Sequence, residues 1–224
     1  MPTDALINVN GDSVQALEIL FFTTIMMLLP SLIVMMTSFT RYIVVLSFLR
    51  SAMGTQQTPP NMILVGMALI LTLFTMGPTL AAVNEEALQP YQAEEIGQVE
   101  FFERAQVPLK RFMNRWTQVR SMELYCNMSG TPVPESEAEA EDLPLSVIVP
   151  AFVTSELKRA FEIGFLLYIP FMLIDMVVSS TLMSMGMIML PPSMISTPFK
   201  LLLFILLDGW QLLFSTLVRG FGFG

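Results

Sequence analysis

The stretch Met26–Arg50, MMLLPSLIVMMTSFTRYIVVLSFLR, holds a contradiction that decides the fold. It is long and apolar enough to read as a membrane helix, yet Pro30 and Arg41 lie inside it. A second stretch, Phe161–Met189, repeats the pattern with Pro170, Asp175 and a run of methionines at Met183, Met185, Met187 and Met189. A charge within an apolar helix is costly unless it faces protein, water or an opposite charge. These segments are therefore expected to pack against other helices, most of them supplied by other subunits, rather than against lipid alone.

The rest of the chain supports a membrane class. Of 224 residues, 54% are hydrophobic and 13% charged, and the mean hydropathy is +0.64, values outside the range of soluble domains. There is no histidine, which removes the commonest metal ligand and the usual neutral-pH base. A single cysteine, Cys126, excludes an intrachain disulfide and a thiolate-rich metal site. The net charge of −8 argues against nucleic acid as a partner. That acidity sits in residues 85–146, which carry 12 acids and 5 bases. The remainder is nearly neutral.

Along the chain, residues 1–13 read as a polar tail and residues 14–84 as a first hydrophobic helical hairpin. Its first arm runs from about Val14 to Met53 and is broken or kinked at Pro30. Ser51–Asn61 (SAMGTQQTPPN) is a turn, and the second arm, Met62–Val83, ends near Gly77-Pro78. Residues 85–146 form an acidic insert. Within it, Leu109, Phe112, Met113, Trp116, Val119 and Met122 recur at helical spacing, with Pro108 in the first turn. Asn127–Pro144 reads as a flexible acidic linker. Residues 147–224 form a second hydrophobic hairpin, with arms at Leu145–Leu190 and Thr197–Val218 turned by Pro191-Pro192. Arg50 and Lys200 flank the two short turns, so the positive-inside rule places both turns in the cytoplasm and the insert outside. The amino terminus is then outside too. Residues 1–13 do not show the pattern expected of a signal peptide, and a mature form is expected.

Glu156, Lys158, Arg159 and Glu162 cluster at the start of an apolar helix, with Glu156–Arg159 and Lys158–Glu162 at pairing distance along it. They fit either an interfacial collar or intersubunit ion pairs. Nothing accompanies them that would make a catalytic site. Asp175 and Asp208 fall deep in apolar sequence and read as buried charges, like Arg41. Structural pairing is favoured over a proton relay, because no series of titratable residues leads away from either. The alternate methionines fit no single helical face. With Gly186 among them and two prolines after, Met185–Leu190 reads as a helix end and a loop whose thioethers form a soft seal, against a simpler role in packing.

Five stretches, MMTSFTR (Met35–Arg41), LRSAMGTQQTPPN (Leu49–Asn61), PAFVTSELKRAFEIGF (Pro150–Phe165), IDMVVSSTLMSMGMIMLPP (Ile174–Pro192) and PFKLLLFILLDGWQLL (Pro198–Leu213), resemble the FliP/SctR family of type III secretion export-gate proteins, in its flagellar branch. The resemblance implies an all-α subunit whose membrane-associated helical hairpins build an oligomeric ring. It implies a pentamer of FliP copies, completed by FliQ and FliR, with FlhB beside it, that passes unfolded flagellar proteins across the bacterial inner membrane at the flagellar basal body, without enzymatic activity or cofactor. It implies that the signal peptide of family members is missing here. It also assigns a pore gasket to Met187 and Met189, with Ile188 at the middle position where the family has methionine; the soft seal read from the loop itself adds Met185. Glu156 and Lys200 take the family's assembly ion pairs, with Arg115 and Arg120 as candidate basic partners in the insert. The competing reading is an ion- or proton-coupled transporter component using Asp175 and Asp208, whose internal repeat is not visible in this sequence.

Overall fold

The computed structural model describes residues 34–55, 57–187 and 189–222 together with 8–9, 12–13 and isolated positions between 20 and 31. The helix expected between Val14 and Pro30 falls largely outside the described residues, and Ile188 falls outside them as well. Two short strands, β1 (Asn8–Val9) and β2 (Asp12–Ser13), pair antiparallel; every other regular element described is helical.

The first long apolar stretch breaks at Met36–Ser38, and helix α1 follows as Phe39–Ala52. Tyr42, Val45, Leu46 and Leu49 line one face of α1 at three- and four-residue spacing and are fully buried. Gly54 ends the turn of this helix at φ +77, a conformation that costs a residue with a Cβ. Helix α2 (Asn61–Val83) returns antiparallel after Pro59-Pro60 and buries Leu64, Ala68, Leu71, Thr72, Thr75 and Met76. It does not stop near Gly77-Pro78, as its sequence suggests. The helix carries Pro78 in its interior and continues through a π-helical turn, Asn84–Leu88, into the short α3, Gln89–Gln92. A wider π turn at the exit is one way a helix absorbs a strained stretch of ladder.

The insert is helical too. Helix α4 spans Gln98–Trp116, so Pro108 lies inside it rather than opening it. The apolar stripe found in the sequence covers only its second half; in the first half Val99 and Phe102 are exposed. An extended step at Thr117 and Gln118 divides α4 from α5 (Val119–Ser129), which leaves Val119 exposed while Met113 and Met122 are buried. The acidic linker contains a further helix, α6 (Glu137–Asp142), whose N-cap Ser136 accepts a hydrogen bond from Glu139 N at 3.2 Å. Three donors from α4 hold it: Lys110 Nζ on Glu141 O, Arg111 Nε on Glu141 Oε1 and Asn114 Nδ2 on Ala140 O. The Glu141 carboxylate pushes the Arg111 guanidinium still further up in pKa.

Helix α7 (Leu145–Ser184) is the spine of the molecule. Its first third buries Val147, Ile148, Ala151 and Phe152 against Met113, Met122 and Cys126 of the insert. Further along it lies against α1, where Gly164 admits Phe48: a Cβ at that position would stand 2.6 Å from the ring. After Pro191, helix α8 (Pro192–Leu206) packs back on α7, and a 63° bend leads into α9 (Gly209–Arg219). The fourth apolar stretch is thus a bent pair and not one straight arm. Asp208 sits at the bend with φ +47.

Two described helical stretches are long and apolar enough to cross a membrane, Asn61–Gln92 and Leu145–Ser184, and the bent pair makes a third if it counts as one span. Large apolar side chains cover the outer surfaces of these helices as well, among them Ile63, Ile70, Phe74, Phe165, Leu173 and Val177. A helix apolar on all sides belongs in lipid or among other helices.

Candidate functional site

Arg41 lies two residues into α1 and faces α7. Its Nε donates to Glu156 Oε2 at 2.7 Å and its Nη2 to Glu156 Oε1 at 2.6 Å, with the two side chains 3% and 0% exposed. This is the forked geometry that guanidinium and carboxylate share, and it satisfies both oxygens at once. Glu156 therefore finds its partner in the first apolar segment. The basic residues of the insert, Arg115 and Arg120, do not hold it: Arg115 lies 5.7 Å from the Trp116 ring centre, and Arg120 is exposed with no ion pair among the described residues.

The charged cluster on α7 resolves differently from its sequence spacing. Glu156 turns inward to Arg41, so the Glu156–Arg159 pair does not close. Lys158 donates to Gln118 Oε1 at 3.0 Å rather than pairing with Glu162. Ser155 accepts from Gln118 N at 3.0 Å. The extended step between α4 and α5 thus docks its free backbone on this part of α7, and a helix-only pairing rule has no means of seeing it.

The pair also has an aromatic enclosure. The Phe221 ring centre lies 3.6 Å from the Arg41 guanidinium carbon, and Trp116 lies 5.6 Å away. Arg159 approaches the same indole at 5.4 Å. Cation–aromatic contacts of this kind strengthen as water is excluded. Trp116 enters the sequence analysis only as a member of the insert's apolar stripe, and nothing in the local pattern around Phe221 points to Arg41.

A second polar anchor lies at the other end of α1. Lys200 Nζ donates to Asp175 Oδ2 at 2.6 Å and to Ala52 O at 3.2 Å, and Ser196 Oγ donates to Asp175 Oδ1 at 2.6 Å. Lys200 thereby caps the carboxyl end of α1 and ties it to α7 and α8, in accord with the attraction of a cation to a helix C-terminus. Asp175, expected to be buried, is 40% exposed on its side chain, because the pair sits at the edge of the bundle near the two turns. Asp208 is exposed outright at the α8–α9 bend, where the chain turns by 63° instead of burying it.

The methionine run lies further along, at the carboxyl end of α7. Helix α7 ends with Met185 as its cap, and Gly186 takes φ +76. Met187 N bonds to Leu182 O at 3.0 Å and Gly186 N to Met183 O at 3.1 Å. This is the double hydrogen bond of a Schellman end, which needs the left-handed residue that glycine supplies. Met185, Met187 and Met189 then stand out of the helix at 64%, 48% and 98% exposure. Thus none of the three packs into this subunit's own core. Among the described residues, no three His, Cys, Asp or Glu side chains gather where a metal ion would sit.

The family model described as "FliP family" matches residues 22–217. A flagellar biosynthetic protein FliP from Aquifex aeolicus is 49% identical over 211 residues, covering 94% of this chain and 88% of the relative. Its counterpart in Bacillus subtilis is 47% identical over 207 residues, covering 92% of each chain. Another from Caulobacter vibrioides is 44% identical over 230 residues, covering 99% of this chain and 85% of the relative. With identity of this level along nearly the whole length, the chain belongs to the FliP family.

Proposed function

We propose that this chain is a pore-forming core subunit of the flagellar type III export gate, through which unfolded flagellar proteins cross the bacterial inner membrane. In this reading several copies, five by the family resemblance, form a ring that FliQ and FliR complete and FlhB adjoins. The two short turns face the cytoplasm and the insert faces the periplasm. The observation that carries the reading is the methionine loop: three thioethers project from a left-handed helix end and make no core of their own. A closed gate has to hold back ions at rest and yield to a polypeptide during export. Thioether side chains are apolar enough to exclude water and have three rotatable bonds with which to move aside.

The apolar outer faces of α2, α7 and α8 support the ring, since they offer far more exposed apolar surface than a monomer in water tolerates. The membrane-length helices support a place in the bilayer or in a helical assembly beside it. Native mass spectrometry of the chain co-expressed with FliQ and FliR tests the assembly. A multi-copy complex containing all three is expected; a chain that remains a monomer in their presence rules the reading out.

A further inference from the structure

The Arg41–Glu156 pair is dry, with its two side chains 3% and 0% exposed. Part of the aromatic cover over its guanidinium comes from the segment that follows α9. Gly220 N and Phe221 N remain bonded to the last turn, at Thr216 O and Val218 O, and Gly222 N bonds to Arg219 O at 2.8 Å. Gly222 has φ +79. This tight turn drives the Phe221 ring inward until it is 4% exposed. There it meets Tyr42 of α1 at 5.7 Å, edge on, and Trp116 of α4 at 5.0 Å, also edge on. It stacks against Phe112 of α4 at 6.1 Å. One ring therefore touches the apolar bundle, the insert and the buried cation together.

We propose that Gly220–Gly222 is a latch, in which Phe221 locks the polar insert onto the apolar bundle and seals the Arg41–Glu156 pair. Phe221 comes after every residue that it touches in the chain. The seat formed by Arg41, Tyr42, Phe112 and Trp116 is open until α9 has docked and the turn behind it has closed. Closing it replaces water over the flat guanidinium with an aromatic face, which strengthens the ion pair as it dries the site. The glycines on either side make the entry possible. A Cβ on Gly220 would lie 3.3 Å from Leu217 O, and one on Gly222 would lie 3.7 Å from Arg115 Nη2 on a backbone that disfavours it.

The test is hydrogen exchange on the full chain in lipid nanodiscs, comparing Phe221→Ala, Phe221→Leu and Gly222→Ala with the parent. In Phe221→Ala, amides of residues 39–42 and 112–116 are expected to exchange at least about tenfold faster, while residues 64–76 and 165–180 keep their protection. Phe221→Leu fills the seat without an aromatic face and falls between the two. Gly222→Ala leaves the ring in place but strains the turn, and so gives the same two windows at smaller amplitude. If Phe221→Ala does not fold, Gly222→Ala decides by those windows alone. Unchanged exchange at 112–116 overturns the latch. So does an equal acceleration in every helix, which would mark Phe221 as an ordinary core residue.

Discussion

Arg41 and Glu156, 115 positions apart in the chain, form a forked ion pair with bonds of 2.7 and 2.6 Å inside the protein. The pair fixes the start of α1 against α7, and Lys200 fixes its end through Ala52 O. Helix α1 has only 14 residues, too few for much stability of its own. Its place is set by these two polar anchors and the apolar face between them.

Removing one member of the buried pair leaves a charge without a partner. Glu156→Gln is expected to lower the stability of the purified subunit by about 3–5 kcal/mol. The double variant Arg41→Met with Glu156→Leu carries no buried charge and should recover most of that loss. Thermal unfolding of the parent, Arg41→Met, Glu156→Leu and the double completes the cycle, with Glu156→Gln measured beside them. A double variant as unstable as Glu156→Gln would show that packing, and not the stranded charge, sets the cost.

The second anchor should weigh less. Asp175 is partly open to solvent, so Asp175→Asn is expected to cost no more than about 1 kcal/mol. Lys200→Met should cost more than Asp175→Asn, because it also strips the cap from Ala52 O. Unfolding midpoints of these two variants, compared in the same detergent, check the order.

The elements were largely legible in the sequence, because apolar length and the Pro and Gly breaks mark helices and turns directly. The methionine loop was legible for the same reason: alternation of Met with Gly186 and two prolines cannot continue a helix. The partner of Glu156 was not. Local spacing offered Arg159, and the insert offered Arg115 and Arg120; nothing in the sequence says that α1 will lie along α7 and bring Arg41 to it. Phe221 was missed for a similar reason, since its contacts are all distant in sequence. The apolar flanks of Asp208 suggest a deep position, whereas a bend in an apolar helix exposes what lies at its corner.

Close approach of α1 and α7 depends on Gly164. A methyl there meets the Phe48 ring at 2.6 Å, so Gly164→Ala is expected to destabilise by about 1–3 kcal/mol through overpacking. Gly66 on α2 has no neighbour within 4 Å of its Cβ position, and Gly66→Ala should be neutral or stabilise by up to about 1 kcal/mol through helix propensity. Equal effects of the two substitutions on the unfolding midpoint would contradict the observed packing.

Cys126 is fully buried between the insert and α7, and that burial raises its thiol pKa. A thiol held protonated and out of reach should react slowly with a maleimide in the folded chain and rapidly after denaturation in detergent such as SDS. Fast labelling of the folded chain near neutral pH would show that the insert does not stay docked on α7.

The seal proposed for Met185, Met187 and Met189 has an electrical consequence. It is tested most directly by ion conductance of the assembled complex in planar bilayers, parent against the Met185→Ala, Met187→Ala, Met189→Ala triple variant. The triple variant is expected to assemble normally, to conduct small ions at rest where the parent does not, and still to support export. An assembled triple variant as tight to ions as the parent would contradict the seal.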